Sequence, residues 1–170
     1  MKRLLFCLFF CGSLFASGVD NVAGYWLIPD EDTNRPESVA YFYESGGVYY
    51  ARMVLIFDDT GGQVSETISD PRELAKGIKG KPKLLGLDFI FNLKPNKSRD
   101  KLKGKVVNPD NGMVFDCEVW FDRKKNCLVV RGELFVFGKN NYWKKIPPSE
   151  IPKGAQIHNS EIRPNPPPLR

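Results

Sequence analysis

The sequence predicts an all-β fold: one antiparallel sheet of about eight strands closed into an up-and-down barrel, with one short helix in a long loop. Three observations carry this. Segments rich in Val, Ile, Leu, Tyr and Phe recur at residues 24–28, 39–43, 48–57, 84–93, 102–107, 114–121, 128–137 and 141–146. Most spacers are short and built from turn formers, as in Ser45-Gly46-Gly47, Lys94-Pro95-Asn96 and Gly138-Lys139-Asn140. Within the segments apolar and polar residues alternate, the period of a half-buried strand. Closure removes the exposed edges that such a sheet would otherwise present.

Residues 24–28 are short and aromatic, and 39–43 join 48–57 through the Gly-Gly turn. In 48–57, Ala51, Met53, Leu55 and Phe57 share a face opposite Arg52. In 84–93, Leu85, Leu87, Phe89, Phe91 and Leu93 form the inward face, and Asp88 points outward to solvent. Residues 114–121 place Phe115, Cys117, Val119 and Phe121 on one side and Asp116, Glu118 and Trp120 on the other. Leu128, Val130, Gly132 and Leu134 oppose Arg131 and Glu133. The polar turn 122–126 makes these two segments a hairpin, and matching the apolar faces pairs Phe121 with Leu128 and Cys117 with Gly132. Cys127 then lies about five residues from the Cys117 level and on the other face. At about 3.3 Å per residue this exceeds the roughly 7 Å reach of a disulfide. The expectation is two unbridged thiols, Cys117 buried and Cys127 near the surface.

Residues 58–82 interrupt the rhythm. They are long and polar, with one helical candidate: Ser69 or Asp70 as cap, Pro71 in the first turn, Gly77 at the exit. Such a connection is either a lid or a surface crossover.

The chain divides into a signal peptide (1–18), a barrel domain (19–146) and a Pro-rich C-terminal tail (147–170). Lys2 and Arg3 precede the apolar run 4–10, and Ala16-Ser17-Gly18 offers a cleavage region after Ala16 or Gly18. The apolar run is too short to span a bilayer, which takes about 20 residues. Export to the periplasm or beyond the cell follows. A lipid anchor would need a small residue before the cysteine, but Phe6 precedes Cys7 and Phe10 precedes Cys11. No stable membrane anchor is expected. Prolines 147, 148, 152, 164 and 166–168 keep the tail extended, either strapped across the barrel, frayed, or engaging a protein partner.

The formal charge of +5 includes Lys2 and Arg3; without them it is about +3, a mild excess carried by loop clusters. Nucleic acid is not an expected partner. The single histidine, His158, lies in the tail, so neither a metal cluster nor a Ser-His pair is predicted, and no cofactor is expected. Nucleotide and hydrolase signatures are absent from the sequence. Asp116 and Glu118 share one strand face that points to solvent, so no catalytic residue is assigned and no enzymatic activity is expected.

Gly24-Tyr25-Trp26 resembles the G-x-W opening of lipocalins and related calycins. Gly80-Lys81-Pro82-Lys83-Leu84-Leu85-Gly86-Leu87, the run from Gly104 to Gly112, Leu128-Val129-Val130-Arg131-Gly132 and Trp143 follow in order. Together they resemble a family of exported bacterial proteins of unknown function with a lipocalin-like barrel. The chain departs from that pattern at Val107-Asn108-Pro109, where Tyr-Asp-Pro is usual, and in its Pro-rich tail. The resemblance implies a fold and an envelope location but no activity. It also implies that Trp26 plugs the closed end of the barrel against a basic group, with Arg131 as the candidate; a Trp simply buried in the core is the competing reading.

The functional expectation is an exported lipocalin-like binding protein holding a small hydrophobic ligand, such as a fatty acid or lipid, in its lumen. The candidate lining is Ala51, Met53, Leu55, Leu87, Phe89, Phe91, Phe115, Val119, Val130 and Leu134. The alternative is a non-catalytic envelope scaffold with a filled barrel, binding a protein or glycan through its surface or tail. Filled and hollow barrels share the same alternation, so the sequence leaves both open.

Overall fold

A computed structural model describes Val19, residues 21–134, 137–158 and 162–168, with residues 133, 134 and 137 described by their backbone alone. The expected signal peptide lies outside the described residues. The described residues form nine strands: β1 (Gly24–Pro29), β2 (Pro36–Ser45), β3 (Val48–Phe57), β4 (Val64–Thr67), β5 (Asp88–Pro95), β6 (Leu102–Val107), β7 (Val114–Asp122), β8 (Cys127–Leu134) and β9 (Phe137–Ile146). All pairings between them are antiparallel. Eight strands close into a ring, because β1 pairs with both β2 and β9, and β2 pairs with β3. Strand β4 lies outside the ring and pairs with the end of β3.

The β7–β8 hairpin has the expected register, with Phe121 opposite Leu128 and Cys117 opposite Gly132. Cys127 sits opposite Asp122, and the two cysteines are unbridged. Cys127 is buried rather than near the surface, and burial, with Asp122 nearby, pushes its thiol pKa up.

No α-helix forms in the long connection. Residues 64–67 are strand, and 68–87 fold as an irregular segment that buries Ala75, Ile78, Leu85 and Leu87 in the main core. This segment fills the space left where β3 turns from β5 to β4. Gly86 N–H donates to Met53 O at 2.9 Å, and Met53 N–H to Leu87 O at 3.2 Å. The segment also locks onto the β6–β7 turn: Gly77 N–H donates to Pro109 O at 2.8 Å. A Cβ on Gly77 would overlap the Asn111–Gly112 backbone, so a residue without a side chain is required there. Packing against the barrel supplants the weak local helical signal.

Two apolar clusters result. The first fills the barrel and includes Trp26, Phe42, Phe91, Leu102, Val119, Leu128 and Trp143. The second lies outside, on β1, β2 and β3, and contains Tyr25, Val39, Tyr41, Tyr43, Val54 and Leu55 under Ile151 and Ala155 of the tail. The tail is therefore a strap. Its described residues include two single-turn 3-10 helices, Pro148–Glu150 and Lys153–Ala155, where no helix was expected, because such turns accept proline at their start.

Beneath the strap lies a buried ion pair. Asp88, expected to face solvent, points away from the lumen but is 0% exposed. Its carboxylate accepts from Arg52 Nε at 2.9 Å, Arg52 Nη2 at 3.1 Å, Tyr43 Oη at 2.7 Å and the Asn165 backbone N–H at 2.5 Å. Arg52 Nη2 also donates to Arg163 O, and Asp88 N–H donates to Asn165 O at 3.0 Å. Burial and the bond to Asp88 push the Tyr43 phenol far above its ordinary range.

Asp88→Ala leaves Arg52 buried without its counter-charge and is expected to cost about 3–5 kcal/mol in urea unfolding. In a chain ending at Ile146 the pair is solvated, and the same substitution is expected to cost only about 1 kcal/mol. An equal penalty in both chains would show that the strap does not bury the pair.

Candidate functional site

The barrel interior is filled at one end and hollow at the other. At the filled end Val19, Val22, Trp26, Phe42, Leu102, Val119 and Leu128 are almost wholly buried. Trp26 Nε1 donates to Val22 O at 2.7 Å, so the segment entering β1 folds back beneath the indole. The ring packs against Phe121, with centroids 6.1 Å apart. Lys145, opposite Trp26 in the β1–β9 register, sets its Nζ 5.3 Å from the ring centroid.

Trp26 thus seals this end under a basic group, but the group is Lys145. Arg131 occupies β8 opposite Glu118 and Asn140, and its Nη1 donates to Asn140 Oδ1 at 3.1 Å. It alternates with the inward Val130 and Gly132, so the pleat sends it to the outer face. The pairing of β1 with β9, which decides the partner, joins opposite ends of the sequence.

At the other end is a cavity of about 400 Å³, within the range of small-molecule sites. Of the predicted lining, Met53, Phe89, Phe115 and Val130 line it. Ala51, Leu87, Phe91 and Val119 are buried in the barrel core and do not line it. Leu55 is a correction: the register between β2 and β3 shifts at Val39/Ala40, so Leu55 pairs with Val39 and joins the outer cluster. The Leu134 side chain lies outside the described residues.

Strict alternation also missed several lining residues. Ile90 lines the cavity beside Phe89, because the β3–β5 register shifts on either side of Ala51, opposite Ile90. Ile56 lines it where Leu55 was expected. Trp143 joins the two halves of the interior, its ring centroid 6.0 Å from Phe42 and 6.2 Å from Phe89. The rim comes from Glu37 and Ser38 of β2, Glu73 and Leu84 of the long connection, and Asn108, Pro109 and Asp110 of the β6–β7 turn. Burial, with Asp30, Glu31 and Asp110 nearby, raises the Glu37 carboxyl above its usual value of 4.5.

The other carboxylates considered from sequence serve as ion-pair partners, Asp116 exposed and Glu118, expected to face solvent, mostly covered by its lysines. Asp116 meets Lys105 at 2.8 Å, and Glu118 meets Lys101 at 2.9 Å and Lys103 at 2.5 Å. Those lysines hold the Glu118 carboxyl below its ordinary range. His158 is exposed on the tail.

A closed eight-stranded antiparallel barrel, plugged at one end by a tryptophan under a lysine and open into a cavity at the other, defines a lipocalin-like protein. Residues 24–145 match the family described as uncharacterized proteins conserved in bacteria (DUF2147), and the chain belongs to that family. Among solved structures it is similar to protein HP1028 from the human pathogen Helicobacter pylori, described as belonging to the lipocalin family. That likeness has a TM-score of 0.59 at 18% identity and covers 75% of this chain and 84% of HP1028; at this identity it speaks to the fold. No curated protein matches the chain.

Trp26→Ala removes the plug and is expected to cost about 3–5 kcal/mol in urea unfolding. Lys145→Ala, touching the ring from the exposed rim, should cost less than about 1 kcal/mol. Equal losses would place Lys145 in a deeper role. At the other end, the raised Glu37 pKa means that the folded state holds this proton more tightly than the unfolded chain. Its contribution to stability is full below the unfolded value of 4.5 and is lost as pH rises through the folded value. Glu37→Gln is therefore expected to raise the neutral-pH unfolding free energy slightly, by less than about 1 kcal/mol after solvent screening. The gain should vanish in melts below the unfolded pKa.

Proposed function

We propose that the protein is an exported binding protein that takes a small apolar ligand into the open half of its barrel. The single observation that carries this reading is the cavity of about 400 Å³ between Met53, Phe89, Phe115, Val130 and Trp143. A barrel of this size is as easily filled by its own side chains. Here the sequence leaves Gly132 among the lining residues, and a Cβ built there meets nothing nearer than Val106 Cγ1 at 3.9 Å. Burial of ligand surface at about 25 cal/mol/Å², less the ordering cost, would supply the affinity. The role is binding rather than catalysis.

Export, to the periplasm or beyond the cell, rests on Lys2, Arg3, the apolar run 4–10 and the small residues at 16–18. The scaffold reading, in which the tail engages a partner, would require that partner to displace the strap from Arg52, Asp88 and Tyr25. Ile157 N–H donates to Tyr25 Oη at 2.7 Å, and Asn165 Nδ2 to Gly86 O at 2.9 Å.

A neutral naphthylamine dye that brightens in apolar surroundings is expected to bind the purified barrel, and native mass spectrometry to find a co-purified lipid. Gly132→Phe, which fills the cavity without demanding an unusual backbone angle, should lower dye affinity by about tenfold or more while leaving circular dichroism unchanged. Unaltered dye binding in this folded variant would show that the dye does not occupy the cavity.

A further inference from the structure

The cavity's polar groups carry a chemical signature that its apolar walls do not. Among the described residues its lining contains three carboxylates, Glu37, Glu73 and Asp110, and no Lys, Arg or His. An anionic ligand entering here would lose its hydration without gaining a counter-charge, and it would pass like charges on the way. Burying an unpaired carboxylate is among the costliest transfers in a protein. The same environment acts on Glu37 at the rim, whose carboxyl is raised above its usual pKa first by burial and then by the charges of Asp30, Glu31 and Asp110. A neutral ligand meets no such barrier.

The second observation is independent of charge. Among the described residues, Trp143 Nε1 is the buried side-chain nitrogen or oxygen without a hydrogen-bond partner. Trp143 is 4% exposed and lines the cavity, with aromatic neighbours Phe42 and Phe89. An unmet buried donor is costly, and such groups in native proteins are generally completed by water or a ligand. Trp26, the other indole inside the barrel, has its acceptor in Val22 O. An indole N–H only donates, so the missing partner must be an acceptor oxygen or nitrogen.

We propose that the cavity selects an uncharged apolar molecule carrying a hydrogen-bond acceptor, such as the carbonyl of an acyl ester, which takes the Trp143 indole hydrogen bond, and that it rejects the free fatty acid anion. This rests on the cavity-binding reading and narrows it from apolar ligands at large to neutral esters.

The test compares methyl laurate with laurate near pH 8, where laurate is ionised, by displacement of the naphthylamine dye, and follows the indole N–H resonances by NMR. Methyl laurate is expected to bind about tenfold or more tightly than laurate, a difference of about 1.4 kcal/mol. One indole proton, absent from the Trp143→Phe spectrum, should shift downfield with methyl laurate. Trp143→Phe should weaken methyl laurate by about three- to tenfold, the worth of one hydrogen bond. The NMR shift separates the hydrogen bond from any loss of packing in the variant. Laurate binding as tightly as its ester would overturn the charge selection while leaving the cavity as a binding site. Ester binding without an indole shift would overturn the role of Trp143. If dye, ester and acid all failed to bind, the cavity-binding reading itself would fall, and this inference with it.

Discussion

The pairing of β1 with β9 turns a long sheet into a ring, and most of the architecture depends on that seam. Tyr25 meets Ile146, Trp26 meets Lys145 and Leu27 meets Lys144. Without it, β1 and β9 would each present an open edge of unpaired backbone groups. With it, the inward faces enclose a volume, and Trp26 becomes a plug rather than a rim residue. The same register delivers Lys145 to the indole. It also fixes where the chain leaves the barrel, immediately before Pro147, on the side from which the tail reaches Tyr25.

The tail then resolves a problem that closure creates. The outer faces of β1–β3 carry Tyr25, Tyr41, Tyr43, Val54 and Leu55, a contiguous apolar cluster that needs a cover. Proline suits a covering segment, because its fixed φ lowers the entropy lost on ordering. Direction and register come from polar contacts at Tyr25, Gly86 and Asp88 rather than from apolar packing alone. A hydrogen-bonded buried ion pair contributes little net stability compared with an apolar substitute, yet it penalises a misplaced strap that would leave charge uncompensated.

The sequence made the hairpins legible because their information is local. Turn residues and alternation gave the β7–β8 register to the residue, including Phe121 against Leu128. Legibility ended where a register shift changed parity. Once β2 and β3 slip at Val39/Ala40, every later side chain of β3 changes face, so Leu55 goes out and Ile56 comes in. Nothing in the apolar run 53–57 distinguishes the two outcomes locally. Long-range choices were equally hidden. Arg131 and Lys145 are both basic residues on late strands, and only closure decides which meets Trp26. Asp88 looked like an ordinary solvent-facing acid because the segment that buries it lies far along the chain.

The hollow half follows from side-chain volume and from what the last strands lack. Near the plug, the inward positions of β1, β2 and β8 are Trp26, Phe42 and Leu128, large enough to meet across the barrel. Toward the mouth, β8 offers Val130 and Gly132 and β6 offers Val106 and Val107. Interiors normally pack to crystal-like density, so missing volume of this kind is costly unless another molecule fills it. Water could occupy the rim beside Glu37, Asn108 and Asp110, where polar partners are available. It is a poor occupant between Met53, Phe89 and Phe115, because an ordered water needs two to four polar partners, roughly, to repay its confinement. The deep part of the cavity therefore favours an apolar guest, and the polar groups around it set the guest's charge and the placement of its acceptor.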